Sequence, residues 1–403
     1  MKLGKTARNK VLSLFSLFFF YGAFAASDSP KSESESDNHG AVSSEAEISE
    51  YILHHIKDAH DFHLFSYNDS EGHRKHIGFP LPVIVYTSKG LRTFMSSEFH
   101  HDDSGHHVVE NDGVSLVKYH EKIYELEEGA HELSFAEHHQ HEMKSGSVSD
   151  ELSAISEDEA FDASHHPTNA HAVLDLSITK SVFGFLLVSL LMLFAFGRLA
   201  KQYKKQAVPT GFGRVLEPLI LYVRDEIARP NIGEKHYRRF TGFLMTVFFF
   251  IWISNLLGLT PLGFNITGQI AVTFSLALFT YLITQFSGTK DYWKHIFWMP
   301  GVPVPMKIIL APIELLGTLT KPFSLMIRLF ANISAGHIVV MSLISIAIIM
   351  KSTLGAAGAT VLSLALSFFL TLIELLVAFL QAYIFTMLSA LFIGMAVEEH
   401  DHH

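Results

Sequence analysis

The chain has 403 residues, a formal net charge of −10 and a hydrophobic content of 49%. This composition is too apolar for an ordinary soluble protein, and the long apolar runs begin only after about residue 178. Cysteine is absent, which excludes a disulfide framework and a thiolate metal site. The chain therefore joins a polar, acidic segment to a membrane-type segment.

The first 25 residues have the pattern of an export signal. Basic residues occur among the first ten, the short apolar run 11–20 follows, and Ala23-Phe24-Ala25 matches a cleavage site. An uncleaved anchor is the alternative, but the run is short for a membrane span. We predict that residues 1–25 are a signal peptide and that the following residues lie outside the cytoplasm.

The predicted exported region, 26–175, is acidic and holds 19 of the 25 histidines. Residues 27–49 are rich in Ser, Glu and Asp, which favours disorder. Short β-branched or aromatic runs bounded by Gly or Ser predict a small β-rich domain over about 62–136. These runs are Pro82–Thr87, Leu91–Met95 and Val114–Tyr119.

The histidines of this region, including His100/His101 and His106/His107, admit three interpretations. Neutral imidazoles can capture a metal ion. They can also hold a reservoir of titratable charge near the entrance of an ion path. A solvated acidic linker with biased composition is the third. We predict no metal site and no cofactor.

Three apolar runs predict the first membrane spans, at 181–196, 240–259 and 270–286. Acidic sequence precedes the first span and a basic cluster, 198–205, follows it, so the positive-inside rule places residue 200 in the cytoplasm. Between and after these spans, we predict an amphipathic surface helix, an external turn and a polar cytoplasmic loop. Their ranges are 211–224, 261–265 and 287–293, respectively.

The last hundred residues predict two longer helices, Phe323–Leu354 and Ala359–Ile393, with Pro322 at the start of the first and Gly355–Gly358 as the hinge. Their lengths would be about 48 and 52 Å. Because the hydrocarbon core is about 30 Å thick, both must tilt strongly. The predicted fold is an all-α polytopic membrane protein of five to six membrane helices, preceded by a partly disordered, partly β region.

Few polar residues interrupt these helices. Lys321, Ser324, Arg328 and Asn332 recur at three- and four-residue steps and form one stripe, while Glu374 and Gln381 share a face of the last helix. An arginine at membrane depth costs on the order of 3 kcal/mol, so Arg328 is a functional candidate. The alternatives are snorkelling to the interface and an ion pair with Glu374.

The residues around Arg328 resemble a known family. The stretch Ser324–His337 resembles the signature of subunit a of F-type ATP synthases around its essential arginine, and Ile373–Phe385 resembles that family's final helix. Further matches are Glu314, Lys321, Pro322 and the run 255–259. The resemblance covers about residues 178 to 400, so the exported region inherits nothing from it.

This resemblance implies a stator subunit that carries protons past a rotating c-ring. Arg328 would be the barrier charge facing the rotor carboxylate, and Lys321 and Ser324 would support it. The proton path would include Glu314, Asn332, His337, Glu374 and Gln381. For Asn332, a simple interhelical hydrogen bond is an open alternative, as is a structural clamp for the pair His337 and Glu374.

The expected partners follow from the same resemblance. They are the c-ring, the subunit b peripheral stalk, the remaining F1Fo subunits, the lipid bilayer and protons, with no nucleic acid. H⁺ is favoured over Na⁺ because His337 and Glu374 exchange protons. No Gly-x-x-x-x-Gly-Lys-Ser/Thr loop is present, so the chain is not expected to be an enzyme on its own. It is expected in the bacterial inner membrane, with residues 26–175 periplasmic and the C-terminus cytoplasmic.

Two other classes compete with this interpretation. A secondary transporter or metal-ion carrier would suit the histidines, but such proteins usually have repeated halves, and no internal repeat is evident. A sensor with an exported β domain and a membrane anchor would leave Arg328, His337, Glu374 and Gln381 without a role.

Overall fold

The computed structural model describes most of the chain after residue 57. The described residues are 58–68, 74–100, 102–127, 129–130, 133–134, 167–205, 208–211, 213–260, 264–299 and 302–398. The predicted signal peptide and the Ser-rich run 27–49 lie outside them, as does most of the predicted turn 261–265. The chain forms two compact units, one of Lys57–Phe183 and one that contains Gly184–His403.

The unit Lys57–Phe183, called the β unit below, consists of antiparallel strands. They form a hairpin β1-β2, a three-stranded sheet β4-β3-β9 and a four-stranded sheet β5-β6-β7-β8. The strands are β1 Asp61–Asn68, β2 Arg74–Pro80, β3 Pro82–Thr87, β4 Gly90–Met95, β5 Ser104–Asn111, β6 Val114–Tyr119, β7 Lys122–Leu126, β8 Ala170–Ala172 and β9 Leu174–Asp175.

The three predicted strands are confirmed, two with the predicted bounds and one beginning a residue earlier at Gly90. Strands β8 and β9 lie beyond the predicted range 62–136, yet they complete the two larger sheets. They have three and two residues, which is too short for a period-2 pattern to be visible in the sequence.

The core of the β unit forms where side chains of the two larger sheets pack together. In β3 every second residue is buried, and Val83 and Val85 are fully inaccessible. Leu116 of β6 and Ile123 of β7 join the same cluster. The alternation of β-branched residues in the sequence thus becomes one buried layer.

The remaining elements are mainly helices, of which five are long and apolar enough to cross a membrane. These five are α1, α4, α5, α7 and α8, and a short π-helix, Val223–Ala228, links α2 to α3. The helices are α1 Lys180–Tyr203, α2 Gly213–Tyr222, α3 Arg229–Ile232, α4 Tyr237–Gly258, α5 Ile270–Ser287, α6 Lys290–Phe297, α7 Val304–Ile349 and α8 Lys351–Val397. The predicted polytopic helical fold is confirmed, and the stretch 211–224, predicted as an amphipathic surface helix, contains the helix α2.

Helix α7 begins at Val304, so the prediction that Pro322 marks its start is wrong. Pro312 and Pro322 both lie inside this 46-residue helix. A proline removes one backbone hydrogen bond, but neighbouring groups in a membrane bundle can compensate, so the helix continues.

The predicted hinge Gly355–Gly358 contains a kink at Gly355, whose φ of 71° interrupts α8 near its start, but α7 ends at Ile349 rather than at the predicted Leu354. Glycine adopts this positive φ without the steric penalty of a side chain. The segment 287–293, predicted as a loop, instead enters helix α6. Thr289 caps that helix because its hydroxyl accepts a hydrogen bond from the Tyr292 N–H.

Candidate functional site

Helix α7 presents two different faces. Leu325 and Leu329 are 2% and 1% exposed, whereas Ser324, Arg328 and Asn332 are exposed. Their spacing of four residues keeps these three polar side chains on one outward face. The Arg328 guanidinium has no ion-pair partner among the described residues, and no salt bridge joins it to Glu374. The alternative of a structural ion pair with Glu374 is therefore not what the structure contains.

Gln381 contacts the backbone of Arg328 rather than its side chain. The Gln381 Nε2 donates to the Arg328 carbonyl oxygen at 2.6 Å, and Gln381 is only 3% exposed. This bond joins α8 to α7 at the level of Arg328. It fixes the helix backbone while leaving the guanidinium available to another group.

Glu374 lies against Gly336 of α7. A Cβ atom placed on Gly336 would be 2.7 Å from the Glu374 Oε1, which is closer than such atoms approach in proteins. The missing side chain of Gly336 thus makes room for the carboxylate. His337 is the next residue, although its side chain lies outside the described part of the structure. The backbone therefore brings the two predicted proton-exchanging residues to neighbouring positions on adjacent helices.

Several buried polar groups near this level were not predicted from the sequence. The Thr267 hydroxyl donates to the Asn255 Oδ1 at 2.6 Å, and the Asn255 Nδ2 donates to the Ala378 carbonyl at 3.4 Å. The Ser334 hydroxyl reaches the Gly268 carbonyl at 3.4 Å. Asn255 belonged to a matched motif, but nothing in the sequence showed that it bridges α4 to α8.

Four other side chains in the helical unit have buried polar atoms without a hydrogen-bond partner among the described residues, and two of them, Gln202 and Ser254, lie on α1 and α4. The other two are the side-chain amide of Asn265, which precedes α5, and the hydroxyl of Ser367 on α8. Ser367 stands seven residues before Glu374, so both lie on one face of α8. This spacing is the signal by which Ser367 could have been found in the sequence.

A second polar group lies towards the start of α7. The Lys321 ammonium is 5.4 Å from the centre of the Phe392 ring. It lines a small crevice whose polar walls come from α5, α6 and α7, including Thr280, Thr284, Gln285, Tyr292 and Thr318. Burial raises the pKa of Tyr292 and outweighs the hydrogen bond from the Gln285 amide, which lowers it, while Tyr281 and Glu314 nearby also raise it. The structure thus places Lys321 and Glu314 apart from Glu374 and Gln381.

The β unit contains ionisable residues of another kind. Lys118 is 3% exposed, and its ammonium lies within 4 Å of the carboxylates of Asp61, Asp103 and Glu121. The exposed pair His100 and His107 has ring nitrogens 2.9 Å apart. Within the described residues, no group of three or more His, Asp or Glu side chains could hold a metal ion.

The buried His60 is also paired, and its Nε2 lies 2.6 Å from the Asp175 carboxylate. Burial by itself would lower the pKa of His60. The hydrogen bonds and charges of Asp175 and Glu121 outweigh that effect and raise the pKa to about 9.

Comparison with known proteins separates the same two regions. Residues 182–394 match the ATP synthase A chain family, and residues 51–150 match a domain of unknown function (DUF8433). ATP synthase subunit a 2 of Chlorobaculum tepidum is 45% identical over 253 residues, which cover 61% of this chain and 70% of that protein. ATP synthase subunit a of Chloroherpeton thalassium is 42% identical over 252 residues, 60% of this chain and 74% of that protein. The family match covers more than half of the chain, and the chain therefore belongs to the ATP synthase A chain family.

Proposed function

We propose that Arg328 is the fixed barrier charge opposite the c-ring carboxylate, and that the polar groups on either side of it along α7 form two proton half-channels. The observation that carries this proposal is an exposed arginine, with no ion-pair partner among the described residues, between two separate polar groups. The finer roles of Glu314, Lys321, Ser324, Asn332, His337, Glu374 and Gln381 belong to the same proposal.

Family membership supplies the coarser function. The chain is a non-catalytic, multi-pass, proton-translocating subunit of the F1Fo ATP synthase in the bacterial inner membrane, and it interacts with the c-ring. We propose in addition that lipid and subunit b of the peripheral stalk cover apolar helix surfaces such as Leu190, Leu193 and Phe194 of α1. These side chains are 65%, 73% and 67% exposed.

The chemistry of guanidinium suits the barrier role. A rotor carboxylate must be neutral while it faces lipid, because an unpaired charge is strongly unfavourable there. Guanidinium stays protonated at any working pH, so Arg328 attracts the ionised carboxylate but cannot pass a proton on. Ser324 and Asn332 lie one turn away on the same exposed face and can orient the pair.

Distances along α7 separate the two groups. At 1.5 Å per residue, Lys321 lies about 10 Å and Glu314 about 21 Å on one side of Arg328. Gly336, which contacts Glu374, lies about 12 Å on the other side. A proton moving directly between the groups would have to pass the arginine, whose positive charge opposes that step. Transfer is therefore routed through the moving rotor carboxylate.

One half-channel would lead to Glu374 and His337. The unpaired buried groups of Asn265 and Ser367 need hydrogen-bond partners, and water is the partner that suits a polar buried space. With Asn255, they mark a polar route from the outer ends of the helices. A carboxyl group beside an imidazole can then accept and release a proton near neutral pH.

The distribution of basic residues supports the orientation. Lys and Arg cluster at the end of α1 (198–205), at the start of α4 (235–239) and after α5 (290–294), and Lys307 lies in the first turn of α7. With alternating spans, these four positions share one side, which the positive-inside rule makes cytoplasmic. The β unit is then periplasmic. In this cysteine-free chain, an impermeant thiol reagent should label Lys122→Cys from the periplasm and Lys204→Cys only after the inner membrane is opened.

The experiment that tests the barrier role removes the charge and keeps a polar side chain. Arg328→Gln should abolish ATP synthesis in membrane vesicles, and Arg328→Lys should also fail because ammonium lacks the planar fork of guanidinium. The matched control is Arg198→Gln, which removes another exposed arginine of the helical unit. ATP synthesis near the wild-type rate in Arg328→Gln, with the complex assembled, would contradict the proposal.

A further inference from the structure

An apolar row crosses the outer surface of the three-stranded sheet. Tyr86 of β3 is paired with Leu91 of β4 on one side and with Leu174 of β9 on the other. Their exposed fractions are 58%, 55% and 62%, respectively. Side chains of directly paired residues point to the same side of a sheet, so these three form one continuous strip.

Two further rows extend this strip. Pro82 pairs with Met95, and Ile84 pairs with Thr93. Beyond β9 the chain stays beside β3, since the N–H groups of residues 176 and 178 donate to the carbonyls of Ile84 and Pro82 at 2.8 and 3.1 Å. The nine positions are called the apolar sheet face. They are Pro82, Ile84, Tyr86, Leu91, Thr93, Met95, Leu174, Leu176 and Ile178.

The composition of the apolar sheet face is unusual for a surface in contact with water. An antiparallel sheet with one solvated face normally alternates apolar residues inside with polar residues outside. Here the inward residues Val83 and Val85 are buried and the outward residues are apolar as well. Thr93 and Tyr86 carry the hydroxyl groups among the nine, and none of the nine is charged. Contiguous apolar surface of this kind marks an interaction site.

Chain continuity connects this face to the membrane. Ile178 lies two residues before Lys180, where the candidate membrane span α1 begins. Two extended residues reach at most about 7 Å, so one edge of the face lies close to the start of the span. Phe79 is 41% exposed beside the same helix start, with its ring centre 5.6 Å from that of Phe183 in the first turn.

We propose that the apolar sheet face docks on the membrane surface that α1 enters, with its strands along the surface and Tyr86, Leu91, Leu174 and Leu176 at the boundary between headgroups and acyl chains. Tyrosine suits this boundary because its ring is apolar and its hydroxyl is polar. The depth of insertion matches that of an interfacial amphipathic element.

Lipid fits this face better than a protein partner or the undescribed segment 135–166. A face with two hydroxyls and no charge offers little to fix the orientation of a protein partner, whereas lipid needs no such register. The segment 135–166 is rich in Glu, Asp, His and Ser, which is a poor match for an apolar surface. Docking rests only on α1 spanning a membrane and is independent of the proton path.

The test measures the depth of single labels on the complete chain in the assembled complex, reconstituted in vesicles. A fluorophore is attached to Leu91→Cys, to Leu174→Cys or to the control Lys122→Cys, an exposed position on β7. Quenching is compared between a nitroxide on the lipid headgroups and aqueous iodide. These positions are exposed, so the substitutions leave the buried core of Val83 and Val85 intact.

We expect lipid-bound nitroxide to quench the labels at Leu91→Cys and Leu174→Cys about threefold more than the label at Lys122→Cys, and iodide to quench them about threefold less. Adding Leu176→Glu should reverse this pattern without altering the label at Lys122→Cys. Iodide quenching equal to that of the control would mean that the apolar sheet face is exposed to water. Protection from iodide without quenching by the lipid-bound nitroxide would mean that a protein covers the face. Either result would overturn the proposal.

Discussion

The two compact units hold their ionisable side chains in opposite ways. In the β unit the buried Lys118 is surrounded by three carboxylates, and the buried His60 contacts two. In the helical unit Arg328 is exposed, and no described residue forms an ion pair with it. Pairing within the chain holds a unit together, whereas an unpaired charge is available to a partner.

The comparison also predicts whether a substitution should affect the stability of a unit or the flow of protons. Removing a paired charge from the β unit leaves its buried partners uncompensated and should reduce stability. Removing an unpaired group from the helical unit should leave assembly intact and reduce proton flow. The following predictions test this division, from the largest expected effect to the smallest.

Glu374→Gln should reduce proton flux by on the order of 100-fold or more, because the amide keeps a hydrogen bond but cannot carry a proton. Quenching of a pH-sensitive dye in vesicles measures the flux. The control Glu226→Gln removes an exposed carboxylate of the same unit and should have little effect. Normal flux in Glu374→Gln would leave a structural clamp as the remaining role for Glu374 and His337.

Lys118→Met should destabilise the β unit by about 3 kcal/mol, because three partly buried carboxylates lose their shared, buried cation. The β-strand band of the infrared spectrum can follow thermal unfolding, since the membrane spans are helical and contribute elsewhere. Lys122→Met, at an exposed position, is the matched control. Proton flux measured below the unfolding temperature should stay near wild type, and a loss of flux there would contradict the division between the units.

His60 should make the stability of the β unit depend on pH. Its pKa is raised from 6.5 to about 9, so the protonated form is favoured in the folded state. The resulting stabilisation, at most about 3 kcal/mol, is complete below pH 6.5 and is lost as the pH rises to about 9. The melting temperature of the β unit, followed by its β-strand infrared band, should fall over this pH range, and His60→Gln should abolish this fall. An identical fall in His60→Gln would assign the dependence to other groups.

Gly336→Ala should give the smallest effect, a reduction of proton flux of about tenfold or less. The new methyl group displaces the end of the Glu374 side chain, which can rotate away, so the carboxylate is moved rather than removed. Gly317→Ala is the matched control on α7, because nothing lies within 4 Å of the added atom. Equal flux in the two variants would show that the position of Glu374 is not critical.

Periodicity and hydropathy were sufficient to predict the elements in which each face lies in one kind of surrounding. The spans α4 and α5, the strands β3, β4 and β6 and the start of α1 were predicted to within three residues, whereas α1 extends seven residues beyond its predicted end. The apolar stretches and the period-2 runs determine these elements locally. The hinge at Gly355 was likewise visible, because a glycine-containing junction between long apolar runs is a local signal.

Long-range packing determined the features of the fold that were not predicted from the sequence. The true start of α7 was missed because proline is a local signal of helix ends, while neighbouring groups in the bundle compensate for its lost hydrogen bond. Strands β8 and β9 are recognisable only through their pairing with β7 and β3.

The candidate site was likewise only partly predictable from the sequence. The sequence by itself determined which polar residues interrupt the apolar helices. Only the tertiary structure decided that Gln381 holds the Arg328 backbone, that Glu374 rests against Gly336, and that Asn255 joins two helices. Contacts of this kind depend on which faces of separate helices pack together, and no local pattern in the sequence records that choice.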